Sequence, residues 1–320
     1  MHKTASSVCS LAPHAAPLAG EAARLGAMVS KSSHMHEVFG LVETLAASGV
    51  PVLIEGERGT GKRALAQEIH LRRARAQGPL LTVRCDEGDA ACRARLLSAL
   101  RDAAPGGTVY LEEVTDLSPR LQADLLSIGE AGLAERAERA AEGHDSEEPE
   151  IQILAATRLD IQSMVRARRF SEDLYHQISW LPVRIPPLRT RTADIELLAT
   201  HFLARIAWRE RQKAPVLSTD AARALLSRAW PGNVAELKAA MEHASRVAGD
   251  GVVRAADLPA DPGQPVSLRR ATQRDALEKL ERIEAALSAS HHDVAAAARA
   301  LGVSPSTLYR WRRTLALKTR

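Results

Sequence analysis

The stretch Gly56-Glu57-Arg58-Gly59-Thr60-Gly61-Lys62 decides the fold of this chain. An apolar run, Pro51-Val52-Leu53-Ile54, precedes it, and a segment with helical periodicity follows from Ala64 to about Arg75. A glycine-rich turn between a strand and a helix lets backbone N–H groups approach a polyphosphate, at a helix end whose dipole favours anions. Lys62 would supply a positive charge to the β and γ phosphates. The sequence therefore predicts a nucleotide-phosphate loop, and the alternative is a vestigial loop kept for folding.

Strands and helices continue to alternate after this loop. Strand-like runs lie at 80–83, 109–111, 151–154 and 181–185, and helical patterns lie at 90–102 and around 121–126. This alternation predicts an α/β fold, with a mostly parallel sheet covered by helices on both faces. From Ala193 to about Leu258 the pattern is helical, with a break at Trp230-Pro231-Gly232-Asn233.

The predicted domain organisation has five parts. We expect a poorly ordered arm at 1–28, an α/β domain at 29–190, a helical domain at 191–258, a Pro-rich linker at 259–268 and a small helical domain at 269–320. No apolar run approaches the length of a membrane span or a signal sequence, so we expect a cytoplasmic protein. The cysteines, Cys9, Cys85 and Cys92, lack metal-ligand spacing, and we expect reduced thiols and no metal site formed by protein side chains alone.

The positive charge of the chain lies at its C-terminal end. From Leu268 onward there are eleven Lys or Arg and five Asp or Glu, a net charge of +6, whereas the whole chain carries +4. In this segment a short helix ends at Gly302, Ser304 is a suitable N-cap, and Pro305 begins a basic helix. This pattern predicts a helix-turn-helix that binds double-stranded DNA. A basic module that packs on a partner protein is the alternative.

We assign the DNA contacts by position on the predicted recognition helix. Ser306, Thr307 and Arg310 are placed to reach base edges, whereas Arg312 and Arg313 are placed to hold phosphates. Tyr309 suits either role, and Ser304 completes the set. An apolar stripe, Ala276, Leu280, Ile283 and Leu287, fits either a dimer seam or packing within the module.

The motifs together resemble the bacterial enhancer-binding proteins that activate sigma-54 RNA polymerase. The resemblance rests on the phosphate loop and on Gly106–Glu113, Leu154–Thr157, Arg169–Tyr175, Pro186–Arg189 and Trp230–Val234, followed by the segment from Ala298 to Arg310. It implies an AAA+ domain with a helical lid, joined to a DNA-binding domain of the factor-for-inversion type. It also implies assembly as a dimer or ring. We expect that no receiver or ligand-sensing domain precedes this region.

The chain departs from the family pattern at the positions that carry out catalysis and that contact the sigma factor. The loop that contacts the sigma factor is missing, and the metal-associated Asp becomes Glu112. Arg63 lacks the hydroxyl that usually binds Mg²⁺, but the family's own loop lacks it too. Glu113 remains as the expected water-polarising base. The resemblance further implies that a sensor Asn is replaced by Arg158, two arginine fingers by Ser171 and Gln177, and a lid arginine by Ala235.

The leading hypothesis is a DNA-binding transcription regulator with a degenerate AAA+ domain. Gly56 to Arg63 and Glu112 would hold ATP or ADP, with Mg²⁺ bound only together with the nucleotide. Loss of the arginine fingers, each worth roughly 10³–10⁵ in rate, argues against hydrolysis. Two alternatives remain open. The chain is an active ATPase in which Arg158 or Arg189 replaces the missing cations, or it is a subunit that joins an intact enhancer-binding protein.

Overall fold

The computed structural model describes residues 22–73, 78–103, 106–129, 151–248, 251–261, 283, 285–290, 293–301, 303 and 308. Their contacts divide them into two compact units. The first unit holds the residues up to Gly56 and those from Lys62 to Pro186, and the second holds Glu57–Gly61 and the residues from Pro187 onward. The centre of the glycine-rich loop is thus grouped with the helical part of the chain.

The first unit is built on a parallel sheet. Its elements are β1 (Ala23–Leu25), β2 (Met28–Ser30), α1 (Ser33–Ser48), β3 (Val52–Glu55), α2 (Lys62–Arg72), β4 (Leu80–Arg84), α3 (Asp89–Ala103), β5 (Thr108–Glu112), a 3-10 turn (Val114–Asp116), α4 (119–129), β6 (Gln152–Thr157), α5 (Ile161–Arg166), α6 (Glu172–Ile178) and β7 (Leu181–Arg184). Five strands pair in parallel in the order β4-β5-β6-β3-β7. The predicted α/β fold is confirmed.

Alternation along the strands produces two cores, one on each face of the sheet. On β3, Leu53 joins the core formed with α3, α4, α5 and α6, whereas Val52 and Ile54 join the core formed with α1 and α2. Successive side chains of a strand point to opposite faces, so a strand buried on both sides is apolar throughout. The unbroken apolar runs in the sequence have this origin.

The start of the described chain differs from the expectation of an arm to residue 28. β1 and β2 form an antiparallel hairpin with Gly26 at its turn, at a φ of 53°. Leu25 is buried in the core beside α1, and the Ala27 N–H donates to Glu68 Oε1 at 3.2 Å. These contacts are long-range, and the Ala- and Ser-rich composition did not reveal them.

The second unit is mainly helical. It contains a 3-10 turn (Leu188–Thr190), α7 (Ala193–Glu210), β8 (Val216–Leu217), α8 (Thr219–Leu226), α9 (Asn233–Val247), β9 (Val252–Val253), a 3-10 turn (Ala255–Asp257), α10 (285–289) and α11 (Val294–Ala300). The break between α8 and α9 buries Trp230, whose indole Nε1 donates to the Leu225 oxygen at 2.9 Å.

The described part of the C-terminal module has its own small core. Ile283 and Leu287 are buried with Ala297, Ala298 and Leu308. This packing accounts for the described half of the apolar stripe, while Ala276 and Leu280 lie outside the described residues. Within the described ranges, no helix is both long and apolar enough to cross a bilayer.

Candidate functional site

Three neighbouring strands end at residues that the sequence singled out. β5, β6 and β3 lie side by side and run in parallel, so their carboxyl ends meet at one edge of the sheet. Gly56 comes directly after β3, and Arg158 comes directly after β6. Glu112 is the last residue of β5, and Glu113 comes directly after it. This edge is where parallel α/β sheets bind ligands. The topology therefore gathers residues from three separate motifs.

The glycine-rich loop has a backbone that only glycine adopts readily. Gly59 and Gly61 have φ angles of 78° and 112°. A Cβ placed on Gly59 would lie 2.2 Å from the Gly232 carbonyl oxygen, so no side chain fits there. Buried Thr60 donates its N–H and its hydroxyl to the Glu57 oxygen, at 3.3 and 2.9 Å. These contacts set the curvature of the loop.

Three successive carbonyl groups of the loop accept hydrogen bonds within the second unit. The bonds run from Asn233 Nδ2 to the Arg58 oxygen (3.0 Å), from the Ala235 N–H to the Gly59 oxygen (3.1 Å) and from Arg191 Nη2 to the Thr60 oxygen (3.1 Å). The N–H of a trans peptide points opposite to its C=O. Carbonyls held in this way turn the following N–H groups away from these donors, an arrangement suited to cradling an anion.

Asn233 and Arg191 are site residues that sequence reasoning missed. Asn233 is fully buried, with a φ of 52°, and its Oδ1 accepts from the Leu188 N–H at 2.7 Å. Arg191 is 4% exposed and lies 3.7 Å from the buried carboxylate of Asp194. Burial lowers the pKa of Arg191. The Trp-Pro-Gly-Asn pattern indicated a helix break but carried no signal for these bonds.

Glu57, predicted to contact the nucleotide, has its carboxylate held by side chains of the second unit. Arg189 donates to both oxygens, at 2.6 and 2.7 Å, and Asn233 Nδ2 donates to one of them at 3.2 Å. The hydrogen bonds from Arg189, more than those from Asn233, hold the pKa of Glu57 below its usual value. The neighbouring Arg58 side chain is exposed.

We expect Arg189→Ala to lower stability only at pH values where Glu57 is ionised. The folded-state pKa of Glu57 is lowered, so the stabilisation is complete above the ordinary carboxyl pKa and is lost as pH falls through the folded value. Because the two side chains are 49% and 39% exposed, solvent screens the pair and the loss at neutral pH should appear only as a small fall in the melting temperature. Thermal unfolding from about pH 7 to about pH 3 measures it.

Glu57→Gln is the matched control for that comparison. When Arg189→Ala is added to the Glu57→Gln variant, the melting temperature should change little at any pH, because the charged acceptor is gone. A stability difference between wild type and Arg189→Ala that stays constant over the whole pH range would contradict the assignment.

The two charged residues expected to work on phosphate and water contact each other in the first unit. Lys62, 7% exposed at the start of α2, donates to the Gly56 oxygen at 2.8 Å. Its Nζ also lies 3.2 Å from Glu113 Oε1. Glu113 has a left-handed backbone, with a φ of 59°, directly after β5. One oxygen of the expected base is therefore paired with the phosphate-loop lysine.

Arg158 engages the other oxygen of Glu113. Its backbone N–H donates to Glu113 Oε2 at 3.0 Å, and its guanidinium Nη1 lies 3.2 Å from the same atom. Nη1 also lies 3.2 Å from Asp116 Oδ2. Asp116, which the sequence analysis did not single out, is thus part of this charged cluster of Lys62, Glu113, Arg158 and Asp116.

Glu112 and Arg63 lie beside this cluster in the chain. Glu112 ends β5, opposite Arg84 of β4 in the strand register, and its carbonyl oxygen accepts from the Cys85 N–H at 3.0 Å. Arg63 is exposed on the first turn of α2. Cys85 and Cys92 are reduced and buried, as expected, whereas Cys9 lies outside the described residues.

The two residues that the family resemblance places at the arginine-finger positions make contacts inside the first unit. Ser171 caps α6, its side chain accepting from the Leu174 N–H at 3.3 Å, while its own N–H donates to Gln122 Oε1 at 2.8 Å. Gln177 Nε2 donates to the Leu126 oxygen at 3.4 Å. Neither side chain carries a charge, so neither would supply a cation to a neighbouring subunit.

The predicted DNA contacts lie outside the described residues, namely Ser304, Ser306, Thr307, Tyr309, Arg310, Arg312 and Arg313. The described part of the module shows how α11 begins. Asp293 Oδ1 accepts from the Ala295 and Ala296 N–H groups at 2.8 and 3.3 Å, as an N-cap does.

Sequence comparison places three family models along the chain. The sigma-54 interaction domain matches residues 28–184, the AAA+ ATPase lid domain matches 189–274, and the Fis family of bacterial regulatory proteins matches 276–316. Together they cover the α/β part, the helical part and the C-terminal module in order.

Individual relatives give the same result. The chain is 35% identical to the anaerobic nitric oxide reductase transcription regulator NorR of Citrobacter koseri, over 91% of this chain and 63% of that protein. It is 32% identical to the transcriptional regulatory protein ZraR of Escherichia coli K12, over 88% of this chain and 67% of that one. The crystal structure of NtrX from Brucella abortus in complex with ATP aligns with a TM-score of 0.62 at 26% identity, covering 91% of this chain and 70% of that chain.

Proposed function

This chain belongs to the sigma-54 enhancer-binding proteins, and from that premise we propose that it is a sequence-specific, DNA-binding transcription regulator with a non-hydrolysing AAA+ domain. ATP or ADP would bind the loop from Gly56 to Arg63 as a ligand that changes the assembly state of the protein, a dimer or ring in the cytoplasm. The chain spans 63% of the length of the NorR relatives, and the activities of those relatives are not assigned to it.

The observation that carries this proposal is that each carboxylate oxygen of Glu113 is paired with a cation. A general base must take a proton from water within hydrogen-bond reach. Both oxygens of Glu113 instead lie 3.2 Å from a cation, Lys62 on one side and Arg158 on the other. A water molecule would have to displace the Arg158 contacts to reach Oε2, and hydrolysis also lacks the finger cations at Ser171 and Gln177.

Support for nucleotide binding comes from the loop. The left-handed glycines, the held carbonyl groups and the lysine at the start of α2 suit a phosphate cradle. A Cβ at Gly59 would overlap the Gly232 carbonyl oxygen, so the backbone of the loop can follow this path only with glycine at position 59. The NtrX structures of Brucella abortus are in complex with ATP and with ADP, a precedent in a related protein.

Support for DNA binding comes from the C-terminal module. It matches the Fis regulatory family at 276–316 and carries the positive charge of the chain. We propose that Ser306, Thr307 and Arg310 read bases, that Arg312 and Arg313 hold phosphates, and that Ser304 and Tyr309 complete the contact.

The test of the proposed function is promoter opening by sigma-54 RNA polymerase. The full chain, added with ATP to a closed complex on DNA that carries its binding site, should yield no open complex above the level without activator. An intact family member on its own site serves as the positive control. Opening that depends on this chain, on ATP and on Lys62 would overturn the proposal.

A further inference from the structure

Two carboxylates at the ligand edge of the sheet, those of Glu113 and Asp116, are already paired with cations. Glu113 pairs with Lys62 and Arg158, and Asp116 pairs with Arg158. Glu112 lies opposite Arg84 in the strand register.

Glu113 and Asp116 do not fit the Mg²⁺ ion that accompanies nucleotides in P-loop proteins. Mg²⁺ takes six oxygen ligands in near-ideal octahedral geometry and relies on one or two carboxylates beside the phosphates and water. An ion held through Glu113 or Asp116 would have to separate that carboxylate from a cation about 3 Å away, and it would then be repelled by the same cation.

Arg158 is placed to take over the charge that the metal would supply. Its guanidinium and the Lys62 ammonium flank the two oxygens of one carboxylate, and Lys62 is the residue that reaches the terminal phosphates. A phosphate group bound at Lys62 would therefore lie next to Arg158. The planar guanidinium fork matches a phosphate with two parallel hydrogen bonds.

Two features allow the arginine to change partners. Its side chain is 42% exposed, so the guanidinium is accessible to a ligand. Its backbone N–H separately holds Glu113 Oε2 at 3.0 Å, which keeps the residue in place when the guanidinium leaves. When the Arg158 guanidinium leaves Glu113 and Asp116 and contacts a phosphate, it exchanges charge-assisted contacts with carboxylates for charge-assisted contacts with the phosphate.

We infer that this chain binds nucleoside polyphosphates without a divalent cation, with the Arg158 guanidinium contacting the terminal phosphate where a metal ion would otherwise lie. The inference rests on the proposed nucleotide-binding role of the Gly56–Lys62 loop and specifies its ligand as the metal-free nucleotide.

The experiment is a titration of the full chain with ATP, followed by calorimetry, in excess EDTA and in excess MgCl₂. For wild type, the dissociation constant should change by less than about threefold between the two conditions. Arg158→Asn, which restores the family residue, should weaken binding in EDTA by roughly 10- to 100-fold, the range of one charge-assisted contact. Arg158→Lys should recover part of this loss, because it keeps the charge without the fork.

Arg101→Asn, which changes an exposed arginine of α3, is the matched control and should bind like wild type. Circular dichroism of each variant checks its folding, and the wild-type comparison needs no variant. Binding that falls more than about tenfold in EDTA would overturn the inference while leaving nucleotide binding intact. No binding in either condition would overturn both the inference and the proposed role of the loop, and unchanged affinity in Arg158→Asn would remove Arg158 from the site.

Discussion

Purified protein should release phosphate from ATP at least about 10³-fold more slowly than an intact sigma-54 activator under the same conditions. Phosphoryl transfer depends mainly on stabilising the charge that develops on the transferred group. One arginine finger is worth roughly 10³–10⁵ in rate, about 4–7 kcal/mol of barrier. The residues that the family resemblance places at the finger positions, Ser171 and Gln177, have neutral side chains that are bonded within the first unit.

The remaining candidate groups do not compensate for that loss. The lid position is Ala235, which contributes only its backbone N–H, to the Gly59 oxygen at 3.1 Å. Arg189, the other cation considered, holds Glu57 through two short hydrogen bonds. Arg158→Asn would remove the guanidinium from Glu113 but would supply no finger, so this variant alone should not restore turnover.

A continuous phosphate-release assay measures this, with Lys62→Ala as the background. Wild type and Lys62→Ala should give the same rate across the accessible protein concentrations, because assembly into a ring brings no finger. A Lys62-dependent rate within about tenfold of the intact relative would contradict the prediction. Turnover that appears only after mixing with the intact relative, beyond the sum of the two, would favour a mixed ring with fingers supplied in trans.

The second large effect concerns the C-terminal module, where Arg310→Ala and Arg312→Ala should differ in kind. A side chain with two hydrogen bonds to a base edge contributes about 1–3 kcal/mol of discrimination, so Arg310→Ala should weaken specific binding roughly 5- to 150-fold. It should hardly change binding to unrelated duplexes. Arg312→Ala should weaken binding to specific and to unrelated duplexes alike, because it removes one phosphate contact. It should also reduce the slope of log affinity against log salt concentration by about 1.

The probe for this measurement is a set of duplexes selected by the wild-type protein from a random-sequence library. Gel-shift titrations at several salt concentrations give the affinities and slopes, and Arg205→Ala, on the exposed side of α7, is the control. The combined Arg310, Arg312 and Arg313 alanine variant should lose specific binding by more than about 10²-fold. Full retention of DNA binding in that variant would favour a module that packs on a partner protein.

Much of the first unit followed from local patterns in the sequence. The apolar runs predicted the strands at 109–111 and 151–154, because strands buried on both faces have no polar alternation. The run at 80–83 predicted β4, an edge strand whose residues are mostly half-buried. The hairpin of β1 and β2 was not predicted, since its stability comes from contacts of Leu25 and Ala27 with residues far along the chain.

The sequence by itself determined the order of strands and helices in the α/β part, the glycine-rich loop between β3 and α2, and the basic composition of the C-terminal segment. These are properties of residue type and local periodicity, which short windows carry. Only the tertiary structure decided that Arg158 holds Glu113, 45 positions away, and that Asn233 holds Glu57, 176 positions away. Such contacts depend on which strands become neighbours and on where distant parts of the chain meet the loop. The periodicity of apolar residues indicates that a side chain is buried, but it does not indicate which residue the side chain contacts.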